Sequence, residues 1–135
     1  MRRAHALLSL VLVCAVSVAP VSASANEGKK EKAAAVTYFA LQPLTAVAVR
    51  RDGRRGVLTL EAGIEAKDPK LMERAQQSMP RLRAAFAQVL MTYTAGMRRG
   101  DPPDVDYLGR EMQKAADQVL GKPGSKVLLG SALLN

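Results

Sequence analysis

The chain has 135 residues, 20 Lys and Arg against 12 Asp and Glu, a formal net charge of +8, and one histidine and one cysteine. That length suits one domain. His5 and Cys14 both fall in the first 25 residues. The remainder therefore lacks the base and thiol of a Ser-His-Asp or Cys-His nucleophile, the usual zinc ligands, and any disulfide.

The first 25 residues read as a secretory signal peptide. Arg2 and Arg3 make a basic start, residues 6–19 are apolar except for Ser9 and Ser17, and Pro20 breaks any helix. Ala23-Ser24-Ala25 then offers the small residues of a cleavage site, placing the cut between Ala25 and Asn26. The apolar run is short for a bilayer span, which needs about 20 residues. The alternative is an uncleaved anchor in the inner membrane with the domain facing the periplasm. Arg2-Arg3 begins like a twin-arginine signal, but nothing like the rest of that signal follows. Val13 stands before Cys14 where lipid attachment wants a small residue. Cleavage leaves 110 residues that keep all the acidic groups and lose only Arg2 and Arg3, for a charge of +6. Such a balance suits an acidic partner or an anionic membrane surface. It is too diffuse to point to nucleic acid.

Residues 26–35, NEGKKEKAAA, read as a flexible or partly helical lead segment, and residues 36–135 as the domain. Residues 36–41, VTYFAL, predict a strand. Pro43 cannot donate to a ladder and implies an edge, a bulge or a bend. Residues 45–49 alternate, with Thr45, Val47 and Val49 on one face. Residues 56–65 alternate again, with Leu58, Leu60, Ala62 and Ile64 on one face and Thr59, Glu61 and Glu65 on the other. Asp52-Gly53 between the two runs predicts a β-hairpin, joined by a tight two-residue turn or a longer loop ending at Gly56.

Asp68-Pro69 predicts a helix start, with Asp68 as cap. Leu71, Met72, Ala75 and Met79 would line that helix. Pro80 interrupts it, or sits in the first turn of a second helix capped by Ser78. Leu82, Ala85, Phe86, Val89, Leu90 and Tyr93 form a helical stripe that leaves Arg81, Arg83 and Gln88 outside. Residues 96–103, GMRRGDPP, read as a loop. A third helix capped near Asp104 would bury Val105, Leu108, Met112, Ala115, Ala116 and Val119, then stop at Gly121 and Pro123. Residues 126–134 predict a final strand. Strands and helices in separate blocks predict an α+β domain. In it about three helices pack on a small antiparallel or mixed sheet made of the N-terminal hairpin and the C-terminal strand.

Three short motifs could carry chemistry, and each has a plainer reading. Asp101, Asp104 and Asp106 could hold calcium, but two prolines replace the alternating ligands and glycine of an EF-hand loop, which favours capping. Residues 121–126, GKPGSK, lack the spacing and ending of a phosphate loop and read as a helix stop and turn. Glu61 and Glu65 share a strand face without anything to make their environments differ. No catalytic, metal or cofactor-binding residue is assigned, and the chain is not expected to be an enzyme.

The segments YFALQPLTAVAV, VLTLEAGIEAKDPKL, MPRLRAAFAQVLMTYTA, LGREMQKAADQVL and KVLLGSALLN resemble, in this order, the periplasmic domain of the FliL family, the flagellar basal-body-associated proteins. The resembling positions are Leu41, Pro43, Thr45, Asp68, Pro69, Pro80, Leu82, Arg83, Ala85, Val119 and Leu120. The resemblance implies a stomatin-like (SPFH-like) domain that associates with flagellar stator or basal-body proteins, supports motility and can assemble into rings. The chain departs from the family in four places. A cleavable signal replaces the membrane anchor, Asp117 replaces asparagine, residues 96–103 differ, and Gly130-Ser131 replaces aromatic residues.

Arg50, Arg51, Arg54 and Arg55 surround the Asp52-Gly53 turn. Arginines at a hairpin tip commonly protect a sheet edge. As a binding site they would suit an acidic protein surface or lipid headgroups. Two functions follow as expectations: a FliL-like motor accessory in the periplasm, or a general binding module that uses this tip against an anionic lipid or polymer.

Overall fold

The computed structural model of the chain describes residues 35–135. The signal segment, the cleavage site at Ala25 and Asn26, and the lead segment up to residue 34 lie outside the described residues. The elements run β1 (Tyr38–Ala40), β2 (Leu44–Val49), β3 (Arg55–Ala66), α1 (Pro69–Gln77), α2 (Met79–Gly96), α3 (Val105–Leu120) and β4 (Ser125–Leu134). The architecture is α+β, and the sheet is wholly antiparallel.

β3 is the central strand. Residues 58–60 pair with both β2 and β4, and residues 63–65 with both β1 and β4. β1 and β2 therefore follow one another along one edge of β3, and β4 occupies the other. The break between β1 and β2 falls at Pro43. Leu41 still donates to the Ala62 carbonyl at 2.9 Å, and pairing resumes at Leu44 opposite Leu60. Residues 41–43 thus face only Glu61 and Ala62, which is one residue too many and produces the bulge that proline accommodates. β4 is irregular at the same level, where Gly130 and Ser131 together oppose Glu61. Gly130-Ser131 thus form a β-bulge.

The helices cover one face of the sheet. α2 packs on β2 and on α3, α3 on β4, and α1 on β3. From the sheet, Leu44, Ala46, Ala48, Leu58, Leu60, Ala62 and Ile64 are buried beneath them. α2 contributes Leu82, Phe86, Leu90 and Thr94, and α3 contributes Leu108, Met112, Ala116 and Leu120. Each set recurs every four residues, as a helix facing a core requires. Val105 and Met79 differ from the expected lining: both are exposed, at 39%. Met79 belongs to the first turn of α2, and Val105 to that of α3. Among the described residues no helix lies over the opposite face of the sheet, with Thr45, Val47 and Val49. Among the described residues no helix is long and apolar enough to cross a membrane.

Helix ends follow local chemistry. The Asp68 carboxylate accepts from the Lys70 amide at 3.0 Å, and the Asp104 carboxylate from the Tyr107 amide at 2.9 Å. Ser78 stands at the N-cap position of α2, but its side chain makes no capping hydrogen bond. Its amide instead closes the end of α1 on Arg74. Gly121 ends α3 in the left-handed region, at φ 76°.

The Lys70 amide hydrogen bond, helped by the Lys122 ammonium 3.3 Å away, holds the Asp68 carboxyl below its ordinary value of 3.8. A carboxyl lowered on folding stabilises the fold above its unfolded pKa, and that contribution disappears as pH falls through the folded value. Asp68→Asn keeps an oxygen for the cap and removes the charge. The variant should melt below the wild type at neutral pH. The gap should narrow as pH is lowered past 3.8 and close below the folded value, as read by thermal denaturation across pH.

Candidate anion-binding end

The hairpin loop of residues 50–54 is the longer of the two expected forms. The Arg50 amide donates to the Arg54 carbonyl, and the Gly53 amide to the Arg50 carbonyl, both at 2.9 Å. Gly53 takes φ 80°, the left-handed position that such loops place at a glycine. The Asp52 carboxylate accepts from the Arg54 amide at 3.0 Å, so it stabilises the turn. Its other oxygen is 4.0 Å from the Arg50 guanidinium, with both side chains about half exposed. A pair so long and so wet contributes little and leaves Arg50 available.

The loop between α2 and α3, residues 97–103, lies against this hairpin. The Gly100 amide donates to the Val49 carbonyl at 3.4 Å. Gly100 adopts φ 78° and packs so closely that a Cβ there would stand 2.7 Å from the Arg51 Cβ. The Arg99 guanidinium lies over Gly53, 3.4 Å from where a Cβ would stand. Farther along the loop, the Asp104 amide donates to the Tyr93 hydroxyl at 2.6 Å, and the Tyr93 and Tyr107 rings pack with centroids 5.8 Å apart. These contacts fix both ends of the loop.

Arg99 thereby joins Arg50, Arg51, Arg54 and Arg55 at one end of the domain, and Arg98 follows on the same loop, where it lines an open cleft between α2 and α3 with Asp101 and Asp104. All six are exposed. Of these six, only Arg50 comes within ion-pair distance of a carboxylate among the described residues. The segments that carry the six arginines contain just two acidic residues, Asp52 and Asp101. Guanidinium groups in such an array can each donate a fork of hydrogen bonds to phosphate or carboxylate oxygens. The arrangement can bind anions, and it contains no nucleophile–base pair. Sequence reasoning found the hairpin four and read Arg98 and Arg99 as loop composition. The one signal for them was a further Arg-Arg pair followed by glycine and aspartate, and nothing local says which loop it packs against.

The other singled-out residues are not brought together. Glu61 and Glu65 stand four residues apart on β3, about 13 Å along the strand, too far to act as one carboxylate pair. Glu61 accepts from the Ser131 amide at 3.4 Å, inside the β4 bulge. Asp104 caps α3, and Asp106 lies in that helix's first turn, where negative charge is favoured. Among the described residues no group of three or more His, Cys, Asp and Glu side chains could hold a metal. Residues 121–124 run from a helix into a strand, the reverse of a phosphate loop, and Lys122 is engaged with Asp68, the cap of α1, at 3.3 Å.

Gly100→Ala tests how the two loops are held. The left-handed φ and the contact with Arg51 should together cost roughly 1–3 kcal/mol, measured by urea denaturation. Gly96→Ala, on the last turn of α2 with open space around it, should change stability by less than about 1 kcal/mol. No protein-family model matches this chain, and no curated protein matches it.

Proposed function

We propose that this chain is a non-enzymatic, FliL-like accessory protein of the flagellar motor that acts in the periplasm and supports the stator or basal body. One observation carries the reading: the resembling segments fall on successive elements of the fold, in order. The aromatic-containing β1 leads into Leu41-Gln42-Pro43, and Thr45 lies on β2. β3 runs into Asp68-Pro69 at the start of α1. Pro80, Leu82, Arg83 and Ala85 open α2, Val119-Leu120 end α3, and β4 closes the sheet. Pairing with stator or basal-body proteins, and assembly into a ring, belong to this proposal, as do the stomatin-like character of the fold and export by the signal segment. Deleting the gene should slow swimming in viscous medium and reduce swarming, where the motor works against load. Unchanged motility under load overturns the reading.

A second reading is a general periplasmic binding module for an anionic lipid or polymer. The convergence of two arginine-bearing loops on one exposed end favours it. Replacing Arg50, Arg51, Arg54 and Arg55 with glutamine should abolish binding to anionic vesicles at low salt and leave the melting temperature unchanged. Absence of binding by the wild type removes this reading.

A further inference from the structure

The helix-free face of the sheet is graded from end to end. Val49 stands directly opposite Arg55, and Val47 opposite Val57, so these four side chains share that face beside the arginine loops. Val47 is 61% exposed, Val49 42% and Val57 43%. The next row is Thr45 and Thr59, flanked by Leu133, which is 55% exposed. Beyond it, on the same strand and face, come Glu61 and then Glu65. Arg55 and Glu65 are ten residues apart, about 33 Å in an extended strand. Arginines thus occupy one end of the face and exposed valines follow them, whereas the other end mixes charges and an aromatic ring, with Lys126 and Tyr38 each directly opposite Glu65.

Resting on the second reading above, we infer that the arginine end docks on the surface of an anionic phospholipid bilayer. All six arginines meet headgroup phosphates, and Val47, Val49 and Val57 enter the interface behind them. Several features favour a bilayer over a single bound ligand. The guanidinium groups are spread over two loops, and only Arg98 lines a cleft, an open one that it shares with Asp101 and Asp104; such a spread suits a plane of negative charge. Exposed valines beside them add apolar area that only an interface can cover. The far end, where Lys126 stands opposite Glu65, offers no comparable excess of positive charge. The domain therefore docks by its arginine tip and the valine rows beside it. Arg98 and Arg99 are part of the contact because their loop is packed against the hairpin.

The test is flotation of the full chain with vesicles of neutral phosphatidylcholine, or of phosphatidylcholine with phosphatidylglycerol. Comparing variants in the same chain cancels any contribution from its N-terminal residues. At about 50 mM salt the wild type should bind the anionic vesicles far better than the neutral ones, and at about 300 mM the difference should shrink. Arg98→Gln with Arg99→Gln should weaken anionic binding on the order of tenfold or more. Val47→Thr with Val57→Thr keeps β-branched side chains and should lower the binding that survives high salt. Unchanged melting temperatures exclude unfolding as the cause. If only the four hairpin arginines matter, the binding-module reading stands and this inference fails. Loss of all vesicle binding defeats both. Displacement of the protein from vesicles by soluble polyglutamate at equal charge concentration assigns the arginines to an acidic chain and overturns the bilayer.

Discussion

β3 is the strand on which the other elements depend. It is twelve residues long, and every other strand pairs with it. It is also the one strand hydrogen-bonded along both edges, while its inner face presents Leu58, Leu60 and Ile64 fully buried. A side-chain period of two makes this arrangement unforgiving. A slip of one residue would turn those three side chains out to solvent and bring Thr59 and Glu61 into the core. β2 and β4 inherit their register from it, and α2 and α3 pack on those two strands. The position of the loop between α2 and α3, and hence of Arg98 and Arg99, traces back to the pairing of β3.

Glu61 marks where this sheet bends. Both neighbouring lanes carry an extra residue at its level, residues 41–43 on one side and Gly130-Ser131 on the other. A bulge increases local twist and terminates regular pairing. Placed side by side, two bulges bend the sheet at one level, and they also roughen both edges. The start of β4 has a further guard. The Gln113 side chain donates to the Ser125 carbonyl and accepts from the Val127 amide, each at 2.9 Å. A side-chain amide here takes the place of another strand's peptide group. Edge strands invite unwanted pairing, and irregular or capped edges resist it.

The parts of the fold that were legible in the sequence are those decided by local chemistry. Asp68 and Asp104 could be read as caps because a carboxylate answers the free amides of a helix start, wherever that helix goes. Gly121 followed by Pro123 could be read as a stop for the same reason. The buried stripe of α2 needed only its spacing. β2 was harder. Its more hydrophobic face, Val47 and Val49, is the exposed one, while Ala46 and Ala48 are buried. Alanines suit the inner face because α2 lies directly on β2, and small side chains let a helix approach a strand closely. Ser78 does stand at the N-cap of α2, but it also ends α1, and its backbone at φ −92°, ψ 8° lacks the extended form in which a serine side chain caps a helix. At the candidate site the hairpin arginines were visible because four of them crowd one turn. Arg98 and Arg99 were not, since their place depends on a contact between segments about 45 residues apart in the sequence.

The direction of the chain separates the start of the sheet from its arginine end. β1 and β2 run along one edge of β3 toward the hairpin, so the described chain enters the sheet at Tyr38, beside Glu65, and reaches the arginine end only after Val49. Eleven residues separate these points, about 36 Å if fully extended and less across the bulge at Pro43. The arginine end is then closed by two loops that the sheet alone does not join: the hairpin after Val49, and the loop between α2 and α3, whose Gly100 amide reaches back to the Val49 carbonyl. That single contact works because Gly100 has no side chain to hold the loops apart, so the grouping of the arginines depends on a glycine and not on any of the charged residues.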